Sequence, residues 1–184
     1  MNPLFTIHAG EYLVASYIEQ HFKRVNVWVP SRDTGVDLLV SDRHNRRAVS
    51  LQVKFSKDYR VTAIRPEFRK HLRFCGFCTI NRGKLQASRA NYWVFVLLGF
   101  DMRTLDFVIV PTKELQRRLR LRSIYGSTKT IRSFPWVTKR KLCWEARKLR
   151  KAQQRRICDG DYREATRDLK KWLNEWTAVK QLNR

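Results

Sequence analysis

Three polar residues on two neighbouring segments have the types that phosphodiester hydrolysis requires. Asp37 lies in the run Gly-Val-Asp-Leu-Leu-Val, and Gln52 and Lys54 lie in the later run Ser-Leu-Gln-Val-Lys-Phe. Carboxylate and amide oxygens are ligands for a hard divalent cation. A lysine ammonium can neutralise the charge that develops on phosphate oxygens. The question is therefore whether the chain brings these three side chains together.

The hydrophobic pattern predicts that it does so through a β-hairpin. Both runs alternate apolar and polar residues, as half-buried strands do. If the polar turn between them centres on His44 and Asn45, Asp37 lies directly opposite Gln52. Because side chains alternate along a strand, Gln52 and Lys54 share the face of Asp37. The other face is apolar and consists of Val36, Leu38, Val40, Val49, Leu51, Val53 and Phe55.

A second carboxylate comes from the segment before the hairpin. Residues 12–22 have a helical pattern, and steps of three and four residues lead from Glu11 to Val14, Ile18 and Phe22. Glu11 therefore lies on the core-facing stripe, where a carboxylate is costly unless another group pairs with it. The alternative is a partly buried glutamate that the helix dipole favours in the first turn.

The order of these residues resembles the PD-(D/E)XK nuclease superfamily, particularly its small restriction, homing and defence members that carry Gln-x-Lys. The resemblance implies that Glu11 is the helix carboxylate and Asp37 the central metal ligand. It implies that Gln52 occupies the variable ligand position, with the backbone carbonyl of Val53 as a further ligand. Lys54 would be the catalytic lysine, and the cofactor would be Mg²⁺ or Mn²⁺.

The resemblance covers roughly residues 8–115, and the sequence departs from the motif at two positions. Val36 stands where the family has a proline, and Gln52 replaces an acidic residue. An amide carries no negative charge, so we expect weaker binding of Mg²⁺ and a preference for Mn²⁺.

Composition independently favours nucleic acid as the partner. The chain of 184 residues has 39 Lys and Arg against 16 Asp and Glu, a formal net charge of +23. Such a charge attracts polyanions with a marked salt dependence. Ribosomal and membrane-surface proteins can be equally basic, so charge supports nucleic-acid binding and not cleavage in particular.

Most of the excess positive charge lies in residues 112–184. We expect a basic helix in residues 136–156 that contacts phosphates, and a second helix over residues 162–179. The apolar stripe of the second helix predicts packing in a core or a dimer, not base stacking, and it consists of Ala165, Leu169, Trp172, Leu173 and Trp176. The predicted phosphate-binding residues are Lys139, Arg140, Lys141, Arg147, Lys148, Arg150, Lys151, Arg155 and Arg156.

The remaining segments predict an α/β fold with a mixed central sheet flanked by helices. Strands are expected at residues 25–29, 77–80, 92–98 and 105–110, and a helix after Pro111 with Thr112 as its cap. We expect a restriction-endonuclease-like core over residues 1–122 and a basic α-helical extension over residues 123–184, which begins with a linker or DNA-facing loop.

The sequence has no apolar run of membrane-spanning length and no signal-peptide pattern at its start, which favours a cytoplasmic location with no membrane partner. The four cysteines are expected to be reduced thiols, although Cys75 and Cys78 have zinc-knuckle spacing.

Together these features predict a Mg²⁺- or Mn²⁺-dependent DNA endonuclease without a small-molecule cofactor. Cutting both strands requires two active sites, so a homodimer or a partner subunit is expected. Two alternatives stay open. One is a non-catalytic nucleic-acid-binding module that kept the fold, and the other is a structure-selective nuclease like the Holliday-junction resolvases.

Overall fold

The computed structural model describes residues 9–32, 34–99, 101, 103–121 and 128–184. Its first elements are helix α1 (Ala9–His21) and strands β1 (Val25–Trp28), β2 (Leu38–Asp42) and β3 (Ala48–Lys57). The predicted helix and hairpin are therefore confirmed. The α1 stripe is buried at Val14 and Ile18, as its spacing requires.

Short elements follow in the middle of the chain. They are helices α2 (Arg60–Ala63) and α3 (Pro66–Arg69), strands β4 (Leu72–Cys75) and β5 (Cys78–Asn81), helix α4 (Arg82–Gln86), strands β6 (Tyr92–Leu98) and β7 (Leu105–Pro111), and helix α5 (Thr112–Leu121). The C-terminal part contains strands β8 (Thr130–Ser133), β9 (Pro135–Thr138) and β10 (Cys143–Glu145), then helices α6 (Lys151–Asp159) and α7 (Thr177–Leu182).

The central sheet has five strands in the order β1-β2-β3-β6-β7. Strands β3 and β6 are parallel, and the other neighbouring pairs are antiparallel. This is a mixed sheet flanked by helices, so the predicted fold class is confirmed.

The two faces of this sheet are buried by different elements. Val94, Val96, Phe107 and Ile109 face a core that contains residues of α1 and α7. The alternate residues of β6 and β7 face a second core, which contains residues of β5, α4, α5 and β8. On this second face, the part of the sheet formed by β1 and β2 is less covered, because Trp28 is 50% and Leu39 37% exposed.

The predicted helix over residues 162–179 is wrong. The chain instead makes a turn of 3-10 helix at Lys170–Trp172 and becomes α-helical only at Thr177. Asn174 has a positive φ of 54° and exchanges hydrogen bonds with the backbone of Phe107 on edge strand β7. As a result, Trp172 enters the core on one face of the sheet and Trp176 enters the core on the other.

The described part of the predicted extension is built into the rest of the protein. Strand β9 pairs with β4, and β8 pairs with β5. A third core joins Phe68 and Leu72 to Trp144 and Ile157. Residues 128–184 therefore share cores with residues 9–121 and include three strands as well as two α-helices, so the expected basic helical extension is not confirmed as a separate helical unit. The expected linker or DNA-facing loop, residues 123–135, lies partly outside the described residues.

Within the described ranges, no helix is both long enough and apolar enough to cross a membrane.

Candidate active site

The hairpin has the register that its sequence predicts. Leu38 pairs with Leu51 and Val40 with Val49, which places Asp37 opposite Gln52. The side-chain amide of Gln52 donates a hydrogen bond to Oδ2 of Asp37. Carboxylate and amide are therefore in direct contact.

Hydrogen bonds just before the start of β2 fix the position of Asp37. Strand β2 begins one residue later, so Asp37 itself completes the pairing with β3. Its backbone N–H donates to the carbonyl of Leu51 at 2.9 Å, and its Oδ2 accepts the backbone N–H of Val53 at 2.6 Å. Because the N–H and C=O of one strand residue point to the same edge, the Val53 carbonyl faces this side too.

The preceding loop reaches Asp37 through a glycine. Gly35 has a φ of +78°, a conformation that residues with a side chain rarely adopt. The Gly-Val-Asp run therefore uses its glycine to turn the chain into the strand immediately before the carboxylate.

Lys54 lies two residues beyond Gln52 on the same face. Its Nζ is 5.6 Å from the centroid of the Trp93 ring, within the range of a cation–π contact. Trp93 is only 2% exposed, and its indole N–H donates to Ser88 Oγ at 3.1 Å. Burial and this hydrogen bond hold the Trp93 ring in place, and the ring in turn contacts the Lys54 ammonium group.

The first turn of α1, which carries Glu11, packs very closely against β3. A Cβ at Gly10 would lie 2.9 Å from the Cβ of Phe55 and 3.2 Å from Val53 Cγ1. The first turn of the helix thus approaches the strand at a position that suits only glycine. Glu11 is half-buried at this contact.

These side chains line one open cleft with a volume of about 1460 Å³. Glu11, Asp37, Gln52 and Lys54 all contribute to it, so the structure brings the four predicted catalytic residues together. Other polar residues in the lining, which the sequence did not indicate, are Ser31, Arg32, Thr34, Thr79, Asn81, Lys84, Ser88 and Thr130.

For one of these additional residues, the sequence contains a recognisable helix-capping signal. Asn81 caps α4, because its side chain accepts the backbone N–H of Lys84 at 2.9 Å. Asparagine is a preferred helix cap, so the start of α4 was readable from the sequence. The position of α4 beside the cleft depends on the pairing of β5 with β8. These two strands lie far apart in the sequence.

The donor set fits a hard divalent cation with few anionic ligands. Glu11 and Asp37 supply carboxylates, while the Gln52 amide and Val53 carbonyl supply neutral oxygens. In the parts of the chain that the structure describes, no three His, Cys, Asp or Glu side chains are grouped to hold a metal ion. A cation here would therefore depend on neutral oxygens, and Gln52 would have to turn its amide so that Oε1 replaces the N–H group now facing Asp37.

None of the nine predicted phosphate-binding residues lines the cleft. Nor do they form one basic helix: only Lys151, Arg155 and Arg156 lie on α6, and the others lie on turns and loops. We call residues 139–156 the basic segment.

Several arginines and lysines of the basic segment have structural partners. Arg140 donates to the carbonyl of Asp159 at 2.8 Å, and Arg147 to that of Arg132 at 2.7 Å. Lys151 pairs with Glu67 at 3.2 Å, and Arg156 with Asp161 at 3.7 Å. The exposed cations that remain for a phosphate are Lys139, Lys141, Lys148, Arg150 and Arg155, the last of which lies 6.0 Å from the Phe68 ring centroid.

The four cysteines are buried free thiols. Burial raises the pKa of Cys75 and of Cys78 to about 12 and that of Cys158 to about 11. The thiolate form that zinc binds is therefore disfavoured at the two positions with knuckle spacing.

Comparison with protein-family models, with curated proteins and with solved structures finds no match to this chain. The resemblance to the PD-(D/E)XK nucleases therefore rests on the residues and on their arrangement alone.

Proposed function

We propose that this chain is a metal-dependent DNA endonuclease of the PD-(D/E)XK type. The observation that carries the proposal is the direct contact between Asp37 and Gln52 on two paired strands, with Lys54 two residues further along the same face. Glu11 joins them in the same cleft from the first turn of α1.

Each residue has a defined part in this proposal. Glu11 and Asp37 would hold the divalent cation, with Gln52 and the Val53 carbonyl as neutral ligands. A bound Mg²⁺ or Mn²⁺ would activate water and offset negative charge on the phosphate. The backbone N–H of Val53 fixes Asp37 in position at 2.6 Å.

Lys54 acts on the phosphate itself. Its ammonium group is supported by the buried Trp93 ring and points into the cleft that the carboxylates also line. From there it donates to a non-bridging phosphate oxygen and stabilises the charge that increases during attack by water. The ring limits how far the long side chain can move, which improves its orientation.

The biological setting we propose is restriction, homing or mobile-element DNA cleavage. One catalytic core with a small recognition region suffices for such work. One cleft provides one set of catalytic residues, so cutting both strands requires a homodimer or a partner subunit. The basic segment would then add sequence-independent phosphate contacts outside the cleft.

The decisive experiment measures nicking and linearisation of supercoiled plasmid in Mg²⁺, Mn²⁺ or EDTA. The test variant is Asp37→Asn, which removes the charge but keeps an oxygen able to accept both hydrogen bonds that Oδ2 now accepts. The matched control is Asp161→Asn, because the Asp161 side chain is 63% exposed and lies outside the cleft. We expect metal-dependent cutting by the wild type and the control, and none by Asp37→Asn.

Two results would contradict the proposal. Equal cutting by both variants would exclude Asp37 from the reaction, and undiminished cutting in EDTA would exclude the metal requirement. Plasmid that is bound but uncut in every metal would favour the non-catalytic binding module. A four-way junction assayed beside linear duplex separates the junction-resolving alternative, since only that enzyme cuts the branched substrate selectively.

A further inference from the structure

The cleft has a cationic side chain on each side of the catalytic strand. Arg32 lies in the loop that joins β1 to β2, and Lys84 lies in α4, which precedes β6 in the chain. Strands β2 and β6 are the two neighbours of β3 in the sheet, so Arg32 and Lys84 each precede a strand that flanks β3, on opposite sides. Both residues line the cleft, as does Lys54 of β3.

The wall that carries Lys84 also presents neutral hydrogen-bonding groups. Thr79 and Asn81 occupy the exposed positions of β5, while Cys78 and Ile80 are buried. Thr130 is paired with Asn81 across the strands and lines the cleft beside it. Hydroxyl and amide groups beside a lysine are typical of surfaces that contact the sugar–phosphate backbone.

The helix start fixes the position of Lys84 on this wall. The Asn81 side chain accepts the Lys84 backbone N–H at 2.9 Å, so strand β5 and helix α4 are joined rigidly at this corner. Lys84 therefore extends from a defined point of the wall.

The size and charge of the cleft indicate an extended anion. Its volume of about 1460 Å³ exceeds the range of about 300–1,000 Å³ that is usual for small-molecule sites. Glu11 and Asp37 make the centre repulsive to a phosphate, apart from the local effect of Lys54. Attraction along the rest of the cleft depends on cations at its sides, and in the described lining these are Arg32 and Lys84.

We propose that Arg32 and Lys84 form a two-sided clamp on a nucleic-acid strand, each contacting a phosphate that flanks the one being cleaved. The clamp rests on the proposed function, and it assigns substrate positioning to the cleft instead of the basic segment. It adds two binding residues to the site, neither of which belongs to the motif that led to the cleft.

The test compares two double variants with the same change in charge. Arg32→Gln with Lys84→Gln removes the clamp, and Lys23→Gln with Lys57→Gln removes two exposed charges outside both the cleft and the basic segment. The probe is a fluorescein-labelled 20-nucleotide DNA, single-stranded or duplex. Its dissociation constant is measured by anisotropy in EDTA at several salt concentrations, and its single-turnover cleavage is measured in Mn²⁺ at saturating protein.

For the clamp variant we expect the salt slope of log Kd to fall by about 1.4–1.8, as two lost phosphate contacts predict. We also expect a loss of about 10-fold or more in the saturated cleavage rate, because the scissile phosphate is no longer held in place. The control should keep the wild-type rate at saturation. A clamp variant with the wild-type rate and the wild-type salt slope would overturn the proposal.

Charge-retaining variants separate lost contacts from lost folding. Arg32→Lys and Lys84→Arg keep the positive charge, so both should retain the wild-type salt slope, and failure to do so would overturn the clamp. The binding arm contains no metal and no reaction, so it still decides if the wild type cuts nothing. In that event a reduced slope in the clamp variant supports the clamp while the nuclease proposal fails.

Discussion

The cleft and the basic segment are both rich in charge, yet the structure uses charge differently in the two regions. In the cleft, side chains of both signs come from α1, the β1–β2 loop, β3 and α4, and they line one open space. In the basic segment, several arginines bind neighbouring parts of the fold. Arg140 and Arg147 donate to backbone carbonyl oxygens, and Arg156 pairs with Asp161. A high density of positive charge in a sequence can therefore include arginines that hold the fold, and it does not by itself mark a binding surface.

The two regions also differ in how they are held. Asp37 is fixed by β3 and by Gln52, within a hairpin whose register follows from its own sequence. The basic segment is held by buried polar groups: Glu145 is 4% exposed and accepts the backbone N–H groups of Phe134 and Arg147, both at 3.0 Å. Arg167, which is also buried, donates to the carbonyls of Glu145 and Arg147.

The largest expected effect that separates the two regions is on the rate of cleavage. Lys54→Ala should reduce the single-turnover rate by about 10²- to 10³-fold, because it removes a group that stabilises developing charge. DNA affinity should change little, since the other contacts with phosphates remain. The matched control is Lys57→Ala on the same strand, where the side chain is exposed and outside the cleft lining. If Lys54→Ala lost both rate and affinity, Lys54 would be the main DNA-binding residue of the cleft, instead of Arg32 and Lys84.

The next effect tests whether the cleft depends on the close packing of α1. Gly10→Ala places a methyl group 2.9 Å from Phe55 Cβ, which cannot move without shifting the strand. We expect a loss of about 1–3 kcal/mol in the free energy of unfolding, measured in urea, together with lower activity because Glu11 is displaced. Gly83→Ala on α4 is the control, because its new Cβ would meet only Asn81 Oδ1, at 3.4 Å. Equal stability of both variants would contradict the contact that positions Glu11.

A smaller effect concerns the residue that departs from the family motif. Gln52→Glu replaces the amide that donates to Asp37 with a second carboxylate, so the metal-free protein should lose about 1–3 kcal/mol of stability at neutral pH. Like charges raise the pKa of one member of such a pair. The protonated pair keeps a hydrogen bond, so the loss should shrink as the pH falls through that raised pKa.

Metal should reverse this loss, since a cation between two carboxylates is bound more tightly. Thermal unfolding with and without Mg²⁺ measures the recovery, and calorimetry compares Mg²⁺ with Mn²⁺ in both proteins. We expect the wild type to prefer Mn²⁺ and Gln52→Glu to gain most with Mg²⁺. Equal affinities of the wild type for the two ions, or no recovery in the variant, would separate Gln52 from metal binding.

The sequence was sufficient to predict the structure wherever the local hydrophobic pattern agrees with the tertiary packing. The alternation of the hairpin and the symmetry of its turn were enough to place Asp37 opposite Gln52. The helical spacing of Leu169, Trp172 and Trp176 was misleading, because i and i+4 residues share a face only if the backbone stays helical. Here the chain wraps around the edge of β7, and the two tryptophans enter cores on opposite faces of the sheet. No local signal encodes such a crossing.

The same reasoning separates Arg32 and Lys84 from the motif residues. Their places depend on which loops and helices adjoin β3, and the pairing of β5 with β8 decides this for Lys84. Pairings between distant segments lie beyond what residue spacing can indicate, and so the sequence identified the centre of the cleft but not its sides.

The smallest expected effect on cleavage comes from substitutions in the basic segment. These substitutions form two groups: exposed cations, and arginines that donate to backbone carbonyls. Neutralising Lys139, Lys141, Lys148 and Arg150 with glutamine should lower the salt slope of DNA binding by at most about 3.6, or 0.9 for each duplex phosphate contact. The saturated cleavage rate and the stability should stay unchanged, because these side chains are exposed. Arg140→Gln and Arg147→Gln should instead each reduce stability by about 0.5–1.5 kcal/mol, since each breaks a hydrogen bond to a backbone carbonyl. A lower saturated rate in the fourfold variant would mean that the basic segment positions the substrate, and the contrast between the two regions would then fail.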